Sequence, residues 1–211
     1  FRVRYIHDPT STPRVPLYAS YGVATGPTAR AKLARIVRKA PEVVVKVTGR
    51  QRNGTHVKAH LDYIGRKGEV EIETRDGEIL TNKEDIAERA AEWSDTLQWR
   101  SRPTVSSVSL IFSMPEGTDP DKVLGAVRAL AHAELSDNHD YVLALHTDTP
   151  RPHVHLTVQA EGLDRTRFNP RPVQLNRFRE RFARELRARG VAAEATPRRA
   201  RGQGIAGSSM A

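Results

Sequence analysis

Residues 143–158 constrain the fold more than any other part of the chain, because they specify a single β-hairpin. They read LALHTDTPRPHVHLTV, in which two alternating runs flank a polar turn that contains prolines. The runs predict strands over residues 141–147 and 153–159. Side chains two apart on a strand share a face, so His153 and His155 point one way and the intervening aliphatic residues point the other.

Only one pairing of these strands agrees with every position. If His146 lies opposite His153, then Ala144 lies opposite His155, and the leucines that flank Ala144 join the apolar face. A shift by one residue would bury the histidines and expose the leucines. The pairing brings three histidines together on one face, within about 5–8 Å of one another. We call His146, His153 and His155 the histidine cluster.

The rest of the chain mixes strand and helix patterns. Strand patterns cover residues 42–48, 69–74, 78–80 and 104–114, and helical patterns cover residues 28–40, 55–66 with Thr55 as N-cap, a helix capped by Asn82, 119–136 and 173–189. Hairpins and interspersed helices predict an α+β fold with a central antiparallel sheet flanked by helices.

The charge balance favours a polyanionic partner. The 211 residues carry 34 Lys and Arg against 25 Asp and Glu, a net charge of +9. Such a domain usually binds nucleic acid, and the alternative is a basic surface that serves only solubility.

The absence of Cys excludes disulfides, cysteine-zinc sites and a cysteine nucleophile. No apolar run reaches about 18 residues, so we expect no membrane insertion. The lack of Cys also fits the cytoplasm, and the first residues show no apolar stretch of a secretory signal.

The histidine cluster has the chemistry of a metal site. Three neutral imidazoles at one end of a hairpin leave coordination positions open on a divalent ion, which keeps its charge for a ligand such as phosphate. Asp148, two residues after His146, is placed to accept an N–H from a ligand histidine. The alternative is a surface hairpin that happens to be rich in histidine. Coordination by imidazole alone would also suit Zn²⁺.

A tyrosine followed by a basic turn is the second candidate feature. Residues 59–68 read AHLDYIGRKG, with Tyr63 near the end of a predicted helix and Arg66 and Lys67 directly after it. Those cations would hold a phosphodiester beside the hydroxyl. His60 and Arg66 share the helical face of Tyr63, so they either contact DNA or are simply solvated. For Tyr63 the alternative is an ordinary tyrosine of an amphipathic helix.

The last predicted helix has one apolar and one basic side. Its inward residues are Leu175, Phe178, Phe182 and Leu186. The other side carries what we call the arginine stripe: Arg177, Arg181 and Arg184. The stripe is either a track for DNA phosphates or a salt-bridged solvent face.

Two motifs together resemble a known family. HTDTPRPHVH matches H-x-D-x-x-x-P-H-x-H, and YIGRKGEVEIE is similar to the tyrosine motif of the DNA relaxases of plasmid mobilisation and T-DNA transfer. SLIFSMPEGTD resembles their intervening strand and turn. This resemblance covers about residues 42–200. It identifies the chain as a conjugative relaxase or mobilisation nuclease of the T-DNA border endonuclease-like (MOB-P) branch of the HUH endonucleases.

The resemblance implies a nuclease with a tyrosine nucleophile. Tyr63 would attack a phosphodiester at an origin of transfer, giving a 5′-phosphotyrosyl DNA and a free 3′-OH, with the reverse step rejoining the strand. The histidine cluster would bind Mg²⁺ or Mn²⁺, and Asp148 would support a ligand. Tyr5, Tyr18 and Tyr21 are rival hydroxyls of lower rank.

The resemblance also implies partners, and together with composition and periodicity it divides the chain. The partners are single-stranded DNA, relaxosome accessory proteins and a type IV secretion coupling protein. Residues 1–41 form an arm and first helix, residues 42–190 the nuclease domain, and residues 191–211 a basic flexible tail. Three alternatives remain: a rolling-circle replication initiator or transposase, a non-catalytic DNA-binding module with a structural ion, and a phosphodiesterase that uses water.

Overall fold

The structure is a computed structural model that describes residue 34 and residues 40–95 and 105–196. Its strands are β1 (Val44–Gln51), β2 (Ile72–Thr74), β3 (Ile79–Leu80), β4 (Ser107–Ser113), β5 (Tyr141–His146) and β6 (His153–Gln159). Its helices are α1 (Gly54–Ile64), α2 (Lys83–Asp95), α3 (Pro120–Leu135) and α4 (Pro172–Ala188), with a 3₁₀ turn at Arg66–Gly68. The predicted N-terminal arm, most of the helix predicted over residues 28–40, the three rival tyrosines and the arginines of the tail lie outside these residues.

The six strands form one sheet in the order β1-β4-β6-β5-β2-β3, and every pairing is antiparallel. This arrangement confirms the predicted α+β fold with a central antiparallel sheet. The hairpin of β5 and β6 sits in the middle of the sheet, paired on both sides, so hydrogen bonds to β4 and β2 hold it in place.

A separate helical layer covers each face of the sheet. Helices α3 and α4 bury one face through a large core that includes Leu110, Phe112, Leu143, Leu156 and Phe182. Helices α1 and α2 cover the other face through a smaller core that includes Leu61, Ile64, Ile72, Trp93 and Ala144. The odd-numbered residues of β5 and the even-numbered residues of β6 face the large core. The histidine cluster therefore belongs to the α1–α2 side.

Several strand and helix ends differ by one to three residues from those that the sequence predicts, and two of these differences have an identifiable cause. Strand β1 extends to Gln51, beyond the predicted end at residue 48, through an irregularity between Val47 and Gly49 that keeps it paired with β4. Helix α1 begins one residue early because Asn53 caps it, accepting a hydrogen bond from the His56 amide at 2.9 Å. The predicted cap, Thr55, is inside the helix. Asparagine and threonine are both good caps, and the sequence does not rank them at this point.

Other local predictions are confirmed. Asn82 accepts a hydrogen bond from the Asp85 amide at 2.8 Å and so caps α2. The β2–β3 hairpin turns at Gly77, whose φ of +85° favours glycine. In α4, Phe178, Phe182 and Leu186 are buried, while Leu175 is only partly buried.

The first residues of the predicted tail are packed rather than loose. Ala193 and Glu194 are buried, and the Val43 amide donates to the Glu194 carbonyl at 2.9 Å. The Glu194 amide in turn donates to the Pro41 carbonyl at 2.8 Å. Composition predicted a flexible tail over residues 191–211, but backbone pairing of Glu194 with Pro41 and Val43, just before β1, orders its start, a contact that composition does not report. In the two described ranges, no helix is both long and apolar enough to cross a bilayer.

Candidate functional site

The hairpin has the register that the sequence requires. His146 pairs with His153, Ala144 with His155, and Leu143 with Leu156. The three imidazole rings of the histidine cluster converge, with centroids 4.5–5.3 Å apart. One ring nitrogen from each lies within 4.8 Å of the others. His146 and His155 are buried, and His153 is only half-buried, so the cluster opens to solvent on the His153 side.

Backbone carbonyls determine which nitrogens remain free in two of these rings. His146 Nε2 lies 2.6 Å from the Ile64 carbonyl oxygen, and His153 Nδ1 lies 3.0 Å from the Arg151 carbonyl oxygen. A carbonyl can only accept, so each of those nitrogens carries the proton and donates it. The lone pairs that face the cluster are therefore on His153 Nε2 and on His146 Nδ1, which also lies 3.4 Å from Arg66 Nη2.

The third histidine has an unsatisfied buried nitrogen. His155 Nδ1 has no hydrogen-bond partner among the described residues. Burial first, and then positive charge on neighbouring groups such as His146 and His153, lowers the pKa of His155 to about 3. Burial also lowers the pKa of His146. These two imidazoles are thus neutral at physiological pH, the state in which histidine binds metal. Imidazole lone pairs on three converging rings, one of them on a buried nitrogen without a partner among the described residues, fit a divalent cation.

Tyr63 stands at the edge of this cluster. It lies in the last turn of α1 and is 58% exposed, unusual for a large aromatic residue. Its ring meets the His155 ring edge-on, with centroids 6.4 Å apart. The neighbouring Ile64 is fully buried, and its carbonyl holds His146. The end of α1 therefore places the exposed side chain of Tyr63 beside the cluster, and the backbone carbonyl of the next residue, Ile64, is hydrogen-bonded to the cluster.

A left-handed turn follows α1 and brings a cation back to Tyr63. Arg66, Lys67 and Gly68 have φ values of 49°, 59° and 104°. For the two non-glycine residues this conformation costs roughly 1–2 kcal/mol each, and such strain concentrates at functional sites. The turn puts the Arg66 guanidinium carbon 5.5 Å from the Tyr63 ring centroid, within cation–π range. Lys67 is exposed and has no ion pair within the described part of the chain.

Asp148 makes a different contact from the one expected. Its Oδ2 accepts from Arg66 Nη2 at 2.5 Å, whereas its Oδ1 is 4.0 Å from His146 Nδ1, too far for a hydrogen bond. The acceptor for His146 is the Ile64 carbonyl instead, on the opposite ring nitrogen. The hairpin turn carries Asp148 outward, where it is half-exposed and holds Arg66 at the mouth of the cluster.

His60 lies between α1 and the sheet. Its Nε2 is 2.8 Å from Ser109 Oγ and 3.0 Å from Thr157 Oγ1. Burial lowers the pKa of His60 to about 4, so the ring is neutral. The sequence left DNA contact and simple solvation open for this residue, and the structure assigns the ring nitrogen to the sheet. Helical spacing predicts that His60 and Tyr63 share a face of α1. It does not show that the sheet covers this face at His60 and leaves it exposed at Tyr63.

The arginine stripe is not near the cluster. It lies on α4, in the helical layer on the other face of the sheet. Glu134 of α3 forms ion pairs with Arg177 at 2.7 Å and with Arg181 at 2.9 Å, and Arg184 is 3.8 Å from Glu185. These pairs favour the salt-bridged alternative that the sequence left open.

The sequence analysis missed one exposed cation on the same face as the cluster. Across the sheet, His155 pairs with Ile111, and Ile111 pairs with Lys46. Lys46 is exposed and has no ion pair within residues 40–95 and 105–196. Alternation in the strand predicted over residues 42–48 marks Lys46 as outward, but only the strand order shows that this face continues from the cluster.

A family of known proteins matches the part of the chain that contains Tyr63 and the histidine cluster. The family model described as the nuclease domain of MobA/VirD2-like relaxases matches residues 63–191, a span that starts at Tyr63 and contains the histidine cluster. The chain belongs to this relaxase family. The chain is 28% identical to the T-DNA border endonuclease VirD2 of Rhizobium radiobacter, over 67% of this chain and 38% of that protein. It thus spans well under half of that relative's length.

One solved structure also resembles the chain. It is titled "Molecular Basis of Vancomycin Resistance Transfer in Staphylococcus aureus". The TM-score is 0.46 at 12% identity, with 75% of this chain and 99% of that chain covered.

Proposed function

We propose that this domain nicks and rejoins one strand of DNA at an origin of transfer, with Tyr63 as the nucleophile. Membership of the relaxase family supports the reaction class. The observation that carries the assignment is the exposed Tyr63 ring, edge-on to His155 at 6.4 Å and under the Arg66 guanidinium. Among the residues that the structure describes, the only other tyrosine, Tyr141, is buried in the large core.

The reaction is a transesterification in which atoms balance without a cofactor being consumed. The Tyr63 hydroxyl loses its proton to solvent, and its oxygen forms a bond to the scissile phosphorus. The bond from phosphorus to the 3′ oxygen breaks, and that oxygen takes up a proton to leave as a 3′-OH. The phosphotyrosyl bond retains the energy of the phosphodiester, so attack by a 3′-OH reverses the step and releases Tyr63.

Arg66 stabilises the phosphate while this happens. A guanidinium next to the tyrosine ring offers several N–H donors to phosphate oxygens. Asp148 holds Arg66 in that place through their ion pair. Lys67 and Lys46, both exposed on this side, contact phosphates farther along the strand. Such contacts position the DNA without reading its sequence.

The histidine cluster would hold a divalent cation through His146 Nδ1, His153 Nε2 and His155. The chemistry that such an ion supplies when bound is neutralisation of charge on the phosphate oxygens. The family favours Mg²⁺ or Mn²⁺, and imidazole donors alone also suit Zn²⁺.

The substrate and partners follow from the family and are part of the proposal. The DNA must be single-stranded or locally melted for its backbone to reach Tyr63. Relaxosome accessory proteins and a type IV secretion coupling protein are the proposed partners, and the bacterial cytoplasm is the proposed location. Residues 42–190 form the proposed nuclease domain, with residues 1–41 and 191–211 as its extensions.

A covalent-adduct assay tests the proposal. The domain is incubated with Mn²⁺ and single-stranded oligonucleotides that span candidate origins, labelled at either end, and run on a denaturing gel. We expect the 3′-terminal label to shift with the protein and the 5′-terminal label to appear on a shorter strand that ends in 3′-OH. Tyr63→Phe should bind DNA as well as the wild type and form no adduct, whereas Tyr141→Phe should form it.

Other outcomes would overturn the proposal. Cleavage without an adduct would assign the reaction to water, and binding without cleavage of any oligonucleotide would indicate a non-catalytic module. Cleavage confined to replication origins or transposon ends would indicate a replication initiator or transposase. An adduct that persists in Tyr63→Phe and disappears when Tyr5, Tyr18 or Tyr21 is replaced would move the nucleophile.

A further inference from the structure

Helix α1 rests on the sheet through polar groups. Its fully buried apolar residues, Val57, Leu61 and Ile64, belong to the small core shared with α2 and β2. Toward β4 and β6 the helix presents His60, and the strands present the buried hydroxyls of Ser109 and Thr157. A contact of this kind depends on directional hydrogen bonds rather than on shape alone.

The hydrogen bonds form a connected network that extends to the edge strand. His60 Nε2 contacts Ser109 and Thr157, and the Ser109 hydroxyl donates to Gln51 Oε1 at 3.2 Å. The Ser107 hydroxyl donates to the same oxygen at 2.7 Å. Gln51, Ser107, Ser109 and Thr157 are all buried, so a lost partner cannot be replaced easily by water. One imidazole thus links α1 to β4 and β6, and through β4 to β1.

This network lies next to the contact of the nucleophile. His60 and Tyr63 are three residues apart, about 4.5 Å along the helix axis. Thr157 and His155 are two residues apart on one face of β6, about 6.8 Å along the strand. The His60–Thr157 contact and the Tyr63–His155 contact therefore run side by side between the same helix and strand. Any rotation of α1 that breaks the first also displaces the second.

We propose that His60 is a positioning residue, whose bonds to Ser109 and Thr157 fix the rotation of α1 and thereby hold the Tyr63 ring beside His155. Apolar packing of Val57, Leu61 and Ile64 against α2 holds the helix to the domain but tolerates small rotations. A displacement of about 1 Å at a reacting group can reduce the rate about a hundredfold. The proposal rests on the role of Tyr63 given above, but its structural part is independent of cleavage.

Two variants and a matched control test it. His60→Phe removes both hydrogen bonds, and His60→Gln restores a polar group of similar reach. Val57→Ala destabilises the same helix on its α2 side, without touching the network. The first measurement uses no DNA: the nuclear Overhauser effect between the ring protons of Tyr63 and His155, which an edge-on pair 6.4 Å apart between centroids should show. The second is the maximal rate of adduct formation at saturating oligonucleotide, beside the dissociation constant.

We expect His60→Phe to lose the ring–ring effect and to lower the maximal rate about ten- to a hundredfold, with the dissociation constant changed by less than about threefold. His60→Gln should recover part of both signals, and Val57→Ala should keep both at temperatures at which it is folded. An unchanged ring–ring effect in His60→Phe, or its equal loss in Val57→Ala, would overturn the proposal. If the wild type forms no adduct but the ring–ring effect behaves as expected, the positioning role stands and the proposed reaction fails.

Discussion

Replacing Arg66 by Gln should separate catalysis from stability. Arg66 pairs with Asp148 at 2.5 Å and lies over the Tyr63 ring, yet its side chain is 35% exposed and that of Asp148 is 50% exposed. Glutamine keeps much of the length and the polarity but removes the positive charge. The left-handed backbone conformation at residue 66 remains, so the strain of the turn is the same in both proteins.

The effect on folding should be small. An ion pair this exposed contributes about 0–1 kcal/mol because solvent screens it. For a chain of 211 residues, a loss of 1 kcal/mol lowers the melting temperature by about 2–4 °C. The cation–π contact with Tyr63 adds about 0.5–1 kcal/mol at most at an exposed site.

The effect on the reaction should be large. If Arg66 donates to the phosphate as charge develops, its loss should lower the rate of adduct formation about 10²–10³-fold, as for other preorganised donors. The assay measures single-turnover adduct formation with saturating oligonucleotide and Mn²⁺, beside thermal unfolding. Arg128→Gln is the matched control, because Arg128 also forms an exposed ion pair, with Glu73, on the α3 side of the sheet.

The reasoning fails if Arg66→Gln retains a rate within about threefold of wild type. In that case Arg66 only holds Asp148. It also fails if Arg128→Gln loses activity to the same degree, because a general loss of surface charge would then explain both variants.

Three further predictions concern metal, salt and pH. His153→Ala alters the most exposed member of the histidine cluster, so the fold should survive while Mn²⁺ affinity measured by calorimetry falls sharply; undiminished affinity would exclude the cluster as the ion site. Lys46→Gln should flatten the slope of log DNA affinity against log salt by about 0.7. Replacing all three arginines of the arginine stripe by Gln should leave this slope unchanged, because Glu134 pairs with two of them. A flatter slope in the stripe variant would place DNA on α4. Folded His60 stays neutral down to pH about 4, but in the unfolded chain it binds a proton near pH 6.5. The free energy of unfolding should therefore fall as pH drops through this window, and His60→Phe should remove up to about 1.4 kcal/mol per pH unit of that dependence; equal slopes in both proteins would contradict the burial of His60.

The sequence predicted best where both faces of an element were specified. In the β5–β6 hairpin, histidines on one face and aliphatic residues on the other left one register, and the pairs His146–His153 and Ala144–His155 follow it. The amphipathic helix α4 was found for a similar reason. The fold class followed from the order of such elements.

The sequence did not predict contacts in which the partner is a backbone group or lies in another layer of the fold. The Ile64 carbonyl, which takes the role expected of Asp148, has no signature in the sequence because every residue has a carbonyl. His60 was placed on the correct helical face, but both its neighbours, Ser109 and Thr157, are distant in the chain. Lys46 became a candidate only when the strand order put β1 next to β4.

The hydrogen bond from His146 to the Ile64 carbonyl would couple the proposed metal site to the proposed DNA site. The same short segment carries Tyr63, the proposed nucleophile, and the carbonyl that holds the imidazole of His146, a proposed metal ligand. DNA bound at Tyr63 would order this segment and, through the hydrogen bond, also His146. DNA binding and metal binding would then share the free-energy cost of ordering the segment. Linkage is reciprocal: if DNA raises metal affinity by some factor, metal raises DNA affinity by the same factor. A domain with a DNA strand bound at Tyr63 would bind its metal ion more tightly than the free domain. The metal affinity would fall again when the DNA dissociates.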